Sequence, residues 1–211
     1  MAGEAYQIRQ CPSCGLRYPL TDNHSFGDRC PNCLGFTKIV LTHQIAPHPT
    51  PVSIDRTIEL EALLDNIRSA WNVGAIFRTA DGLGVRKLHL CGITPTPKNE
   101  AVRKTSLGAE GTMAWEYSRN SLETAKRLKS ENCKLIALEQ DARAIELGDR
   151  SNLNLAQDDR LVLILGNEVT GVDPDILDLC DTILHILMKG SKRSLNVEVA
   201  FGIAAFQLFR K

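Results

Sequence analysis

From residue 57 onward, short, nearly unbroken apolar runs alternate with amphipathic or polar helix candidates, and this alternation restricts the fold more than any other feature. "TIELEALLDNI", "VRKLHLCGI", "TMAWEYS", "CKLIALEQ", "RLVLILGNE" and "TILHILMKG" read as strands. Between and after them, residues 72–80, 99–107, "SLETAKRLKSEN", "DPDILDLCD" and "SLNVEVAFGIAAFQLFRK" read as helices. Strands apolar on both faces, each followed by a helix, predict an α/β fold whose parallel sheet is covered on both sides. Ligands in such sheets bind at the carboxyl ends of the strands. The loops there are "NIRSAWN", "DARAIELGD", "GNEVTG" and "KGSKRSLN". No G-x-G-x-x-G follows the first strand and no G-x-x-x-x-G-K-[ST] occurs, which argues against a nicotinamide dehydrogenase, a P-loop NTPase or a methyltransferase with an early glycine loop. "GLGV" at Gly82–Val85 closes a helix and reads as a C-cap.

The first fifty residues follow other rules. Cys11, Cys14, Cys30 and Cys33 form two C-x-x-C pairs separated by 15 residues. Each pair sits in a turn that can aim two thiolates at one ion, and four sulfurs in a tetrahedron suit zinc and leave no open position. An iron–sulfur centre is the alternative for such a ligand set. Two disulfides would need an oxidising compartment. So short a module lacks a sufficient core, so the metal is expected to supply its folding free energy and to be structural. His24 reads as a surface histidine, and the proline-bearing "HQIAPHPTPVS" as an extended linker. The expected organisation is a zinc ribbon over residues 1–45, a linker over 46–54 and an α/β domain over 55–211.

With 25 Lys+Arg against 25 Asp+Glu, no global basic field advertises a nucleic-acid partner, so any such contact needs a local patch. The start, "MAGEAYQIRQC", lacks the apolar core of a signal peptide, and the longest apolar run is far too short to cross a bilayer. The expectation is a cytoplasmic protein with no membrane partner. Cys91, Cys133 and Cys180 read as small buried hydrophobes, and His89 and His185 as packed strand residues.

"NVGAIFRTA", Asn72–Ala80, poses the functional question. Val73, Ile76, Phe77 and Ala80 form one buried helical stripe, and Arg78 points away from it. Arg78 can be a solvated cation paired with Asp81, and Asn72 can be a helix cap. Three segments then line up in order. "NVGAIFRTADGLGV", "LVLILGNEVTGVDPDIL" and "ILMKGSKRSLNVEVAFGIAAF" resemble the three motifs of the SpoU (TrmH-like) branch of SPOUT RNA methyltransferases, over about residues 55–211.

The resemblance implies a C-terminal trefoil knot, a homodimer, S-adenosylmethionine as methyl donor, and transfer to a ribose 2′-hydroxyl of tRNA or rRNA. It implies catalytic-site roles for Asn72, Arg78, Glu168, Ser194 and Asn196. It also implies a cofactor wall of Ile186, Met188, Gly190 and Leu195, with Gly166, Asn167 and Gly171 in the preceding loop and Leu138 and Glu139 at a neighbouring strand end. A guanidinium stays charged in proteins, so Arg78 is a poor base. Its fork is better suited to hold the 2′-oxygen and an adjacent phosphate and to stabilise the developing alkoxide. Val169 stands where the family more commonly has glycine, and a positive φ there would strain it. Arg9, Arg17, Arg29 and Lys38 make the ribbon slightly basic, which suggests an extension of the RNA surface that contacts phosphates. Two alternatives remain at this point: a non-catalytic zinc-ribbon adaptor on a methyltransferase-like fold, and base methylation by the same fold.

Overall fold

The computed structural model describes residues 5–21, 27–44, 58–148 and 159–209. His24 and the expected linker, 46–54, lie outside these residues. The chain divides into two units, Met1–Ile54 and Asp55–Lys211.

The first unit is a three-stranded antiparallel sheet in the order β2-β1-β3, with β1 at Ala5–Gln10, β2 at Arg17–Thr21 and β3 at Lys38–Gln44. Its two cysteine turns repeat one geometry. Gly15 N–H donates to Cys11 O and Cys11 N–H to Leu16 O; Leu34 N–H donates to Cys30 O and Cys30 N–H to Gly35 O. Arg9 is not a surface cation as its sequence suggested. It is buried, donating to Thr37 Oγ1 at 2.8 Å, Asp28 Oδ1 at 2.6 Å and Gln7 Oε1 at 3.0 Å, and so fastens the second turn to β1.

The second unit contains β4 (Glu59–Asp65), α1 (Ala70–Leu83), β5 (Lys87–Cys91), α2 (Glu100–Ser106), α3 (Ala109–Thr112), β6 (Ala114–Ser118) and α4 (Ser121–Ser130). It continues with β7 (Lys134–Leu138), β8 (Ile145–Glu146), β9 (Arg160–Leu165), α5 (Pro174–Leu177), β10 (Thr182–His185) and α6 (Val197–Phe209). Seven parallel strands lie in the order β6-β5-β4-β9-β7-β10-β8, as the α/β expectation requires. Both faces of the central strands are buried. Leu161, Leu163 and Leu165 of β9 join Leu60, Leu64, Phe77 and Phe201 on the α1/α6 side. Val162 and Ile164 join Leu63, Ala125, Leu128 and Ile176 on the α4/α5 side. β9 inserts between β4 and β7, and β10 between β7 and β8, each entering among strands laid down earlier. The expected knot depends on how the 139–159 connection passes the later chain, and residues 149–158 of it lie outside those described.

The α4 side also buries a polar row across three strands. His89 Nε2 lies 2.7 Å from Glu61 Oε2 and its Nδ1 2.7 Å from Glu116 Oε1. Lys87 and Arg127 also bond Glu116. His89 is therefore packed, as its sequence suggested, but packed against carboxylates. Burial works against the Glu116 charge, yet hydrogen bonds and attraction from Lys87 and His89 outweigh it and push its pKa down to about 2. Burial likewise opposes the Glu61 charge, and His89 and Arg160 hold its pKa below the ordinary value of 4.5. Depressed carboxyl values stabilise the fold above pH 4.5, and that stability drains away as pH falls toward 2. His89→Leu removes the nearer partner of buried Glu61 and leaves it Arg160 at 3.5 Å, and is expected to cost about 3 kcal/mol. Urea unfolding at neutral pH, together with a flattened loss of melting temperature between pH 5 and 2, checks both statements.

Candidate active site and metal centre

In the first unit, the four cysteine Sγ atoms lie within 4.8 Å of one another, with Cys11–Cys33 at 3.5 Å and Cys14–Cys30 at 3.6 Å. A tetrahedron with zinc–sulfur bonds of about 2.3 Å has edges of about 3.8 Å, so the cluster fits a structural zinc.

In the second unit, the carboxyl ends of β7, β9 and β10 open into a cavity of about 550 Å³. Leu138 and Glu139 follow β7; Gly166, Asn167, Glu168, Val169 and Gly171 follow β9; and Ile186 and Met188 follow β10. Ser194, Leu195 and Asn196 enter from the segment before α6, and Asn72 from the first turn of α1. These are the residues singled out in the sequence, with two exceptions: Gly190 and Arg78 do not line the cavity. Arg78 lies on the exposed face of α1, and no hydrogen bond or ion pair to it, Asp81 included, is found among the described residues.

The start of α1 explains how the polar groups are set. Ser69, not Asn72, is its N-cap, accepting from Asn72 N–H through Oγ at 3.3 Å. The Asn72 side chain is thereby free for another task. Its Nδ2 donates to Glu168 Oε1 at 3.0 Å, and its Oδ1 accepts from Asn196 Nδ2 at 3.1 Å. Asn196 Oδ1 in turn accepts from Glu198 N–H at 2.9 Å at the head of α6, so Asn196 serves as its cap. An ionised carboxylate accepts only, so Glu168 fixes which end of the Asn72 amide faces it, and through Asn72 the orientation of Asn196.

Glu168 also accepts the backbone N–H groups of Arg68 at 2.9 Å and Ser69 at 3.1 Å. Partial burial opposes its charge, but these donors at a helix N-terminus, with Asn72, hold its pKa below the ordinary value. Glu168 is thus a fixed negative end that locks the first and second motifs together.

The β9 loop is held by its own side chains. Asn167 and Gly171 exchange backbone hydrogen bonds, Asn167 Oδ1 accepts from the N–H groups of Val169 and Thr170, and Asn167 Nδ2 donates to Asn66 O at 2.7 Å. Glu139 accepts from Val172 and Gln140 N–H. Asn167 and Glu139 line the cavity, then, with polar atoms largely spent on organising it. Gly171 has φ +75°, and a Cβ on Gly166 would lie 2.1 Å from Gly171 C and Val172 N, where only backbone could yield. Val169 is absent from the positive-φ residues, so valine is unstrained there.

Sequence reasoning missed several residues. Asp65, buried at the end of β4, accepts Asp173 N–H at 3.0 Å and Asn66 Nδ2 at 2.7 Å. Gln140 bonds the Arg193 carbonyl across the cavity mouth. His185, expected to be packed within its strand, borders the cavity. Only the polar "DN" at a strand end hinted at the Asp65–Asn66 hub.

Known proteins resemble this chain in sequence and fold. Residues 59–206 match the SpoU rRNA Methylase family. The 23S rRNA (guanosine-2′-O-)-methyltransferase RlmB of Escherichia coli (strain K12) is 29% identical over 149 residues, 71% of this chain and 59% of its own length. The chain therefore spans well under two thirds of that relative. The crystal structure of an AdoMet-bound rRNA methyltransferase from Sinorhizobium meliloti superposes with a TM-score of 0.64 at 23% identity, covering 71% of this chain and 55% of the other. That of the A. aeolicus TrmH/SpoU tRNA modifying enzyme gives 0.60 at 25% identity, over 72% and 74%. With the family match extending across most of the second unit, the chain belongs to the SpoU rRNA methylase family.

Proposed function

We propose that the protein transfers a methyl group from S-adenosylmethionine to a ribose 2′-hydroxyl of tRNA or rRNA. The observation that carries this reading is the cavity at the strand ends, with the Glu168–Asn72–Asn196 chain fixed along one wall. Its volume falls within the range of small-molecule sites, and its wall combines apolar Leu138, Ile186, Met188 and Leu195 with exposed backbone, which suits an adenosine and a methionine arm. The donor, when bound, supplies a methyl group on a sulfonium, a leaving group already activated without a metal. The protein's residues have the remaining work of orienting and desolvating.

Ser194 and the Asn72 and Asn196 amides present polar atoms where a ribose would enter. Arg78 grips the 2′-oxygen and a neighbouring phosphate, favouring the alkoxide as oxygen attacks carbon, while the proton leaves to phosphate or water. The working form is a homodimer in which Arg78 reaches the partner's cavity. Arg78 lies two helical turns from Trp71, within about 20° of the same face of α1, and Trp71 is 59% exposed. On α6, Val199, Ile203 and Phe206 follow the i, i+4, i+7 spacing and are 44%, 42% and 55% exposed. Thr79 Oγ1 meets Glu198 Oε1 at 3.4 Å between these two helices, so both apolar faces border one seam. Such a face is suited to a second copy.

The structure has no helix long and apolar enough to cross a membrane among the described residues, and an RNA substrate fits the expected cytoplasmic location. Transfer of a labelled methyl group from the donor to RNA, followed by nuclease digestion, tests the reaction: the label belongs on ribose, and label on a base or none at all rejects it. Gly166→Ala is expected to lower stability by about 1–3 kcal/mol through backbone overpacking and to abolish donor binding. Thermal melting and calorimetric titration with S-adenosylmethionine check this.

A further inference from the structure

We propose that the second cysteine turn of the ribbon is a base-stacking site for single-stranded RNA, with Phe36 as the platform. This goes beyond phosphate contact and rests on the reading of RNA as the substrate. Phe36 is 67% exposed, and the Arg29 guanidinium lies 3.8 Å from its ring centroid. Arg29 is held there at both ends: Tyr18 Oη donates to its carbonyl oxygen at 3.1 Å, and its Nη1 donates to Leu34 O at 3.4 Å. The guanidinium covers one face of the ring, and the exposure of Phe36 leaves further aromatic surface available for a base, the pairing single-strand binders use.

The two turns differ in a telling way. Position for position, Gly15 of the first turn, with φ +76°, corresponds to Leu34 of the second, with φ +59°. A leucine in left-handed backbone is costly, and Leu34 recovers nothing by packing, because it too is 67% exposed. An apolar side chain kept in strained backbone beside an exposed stacked ring points to a ligand that covers both.

Charge favours an anionic partner over an apolar one, and the exposed Phe36 ring with its stacked guanidinium favours RNA among anionic partners. Gln10 pairs with Arg17 on one side and Lys38 on the other, so the three side chains form one exposed row at the cysteine end of the sheet. Asp28 is the one carboxylate among the described residues of this unit, and it is committed to buried Arg9. Arg17 and Lys38 carry no ion pair among the described residues, which leaves them available to phosphates.

The test titrates the zinc-loaded chain, both units together, with a short oligouridylate carrying one 2-aminopurine, reading fluorescence quenching and affinity. Phe36→Ala is expected to weaken binding about tenfold and remove the quench, with zinc content and donor affinity unchanged. Phe36→Tyr should retain both. Arg17→Ala with Lys38→Ala should keep the quench at saturation but flatten the salt slope by about 1.4, or about 0.7 per phosphate on a single strand. Wild-type affinity in zinc-replete Phe36→Ala, or a wild-type chain without quench, overturns the proposal. A chain that methylates RNA normally but binds the probe independently of Phe36 refutes the stack alone. A chain with a Phe36-dependent quench and no methyl transfer refutes the transferase reading alone.

Discussion

Co-expressed Arg78→Ala and Asn196→Ala chains are expected to recover about a quarter of wild-type methyl transfer, although each variant alone loses about 10²–10³-fold. In one chain, Asn196 lines the cavity while Arg78 lies outside it on the exposed face of α1. If Arg78 works across the dimer, an Arg78→Ala chain still has a complete cavity, and an Asn196→Ala chain still has a complete arginine. A mixed dimer then contains one intact site and one doubly defective site. Half the dimers in a random mixture are mixed, and half their sites work. An arginine acting on its own chain's cavity would leave every site defective, and the mixture would be as inactive as its components. Arg78→Lys sharpens the chemical point: lysine keeps the charge but not the planar fork, so it should fall nearly as far as alanine. Donor affinity should be unchanged in both Arg78 variants, because the residue does not touch the cavity. Near-normal turnover by the lysine variant would sink the fork mechanism, and absence of recovery in the mixture would sink delivery across the dimer.

Elements with a strong local signal were legible in the sequence. The run "LVLIL" is buried on both faces, so its composition alone identifies a central strand of a covered sheet. Gly84 caps α1 in the left-handed conformation, as its place after an apolar stripe indicates. The strand order was not legible. β9 pairs with β4 and β7 through contacts just over a hundred residues apart in one case, and no local pattern encodes which gap a strand enters. α3 and β8 have four and two residues, too few to express a period. Capping was ambiguous for a physical reason: in "SAWN" both ends are good cap residues, and only the backbone break at Ser69, φ −82° and ψ 114°, decides between them.

The site divides in the same way. Most residues that carried the motif resemblance face the cavity, but Gln140 and His185 face it too and carried no such signal. Neither did buried residues that act at a distance. Asp65 acts on Asp173 across 108 positions, and His89 meets Glu61 and Glu116 across 28 and 27. Such pairings become readable only once strand register is known. Arg78 shows the opposite limit, since its motif position marks it as a site residue while within one chain it lies outside the cavity. Asn72 lies between these cases: the same amide type serves caps and sites equally well, and the geometry of Ser69 and Glu168 decides the matter.

Removal of zinc should unfold the first unit and leave the second folded. The described residues of the ribbon bury few apolar side chains, chiefly Leu20 with Cys11 and Cys30, whereas the second unit buries two clusters spanning its sheet. So small a core does not offset the conformational entropy of ordering the chain, and a structural Cys₄ zinc contributes on the order of 10 kcal/mol or more to folding. Elemental analysis should find one zinc per chain. After chelation, amide exchange protection should vanish across β1, β2 and β3 and persist in β4, β7 and β9. The same split is expected for Cys30→Ser, whose sulfur is among the two buried ones. Binding of S-adenosylmethionine should survive both treatments, because its proposed cavity contains no residue of the first unit. Slow exchange retained in β1 after complete loss of metal would mean that Arg9 and its partners, not zinc, hold the ribbon. If donor binding disappears along with the metal, the two units are energetically coupled and the zinc site supports the catalytic fold itself.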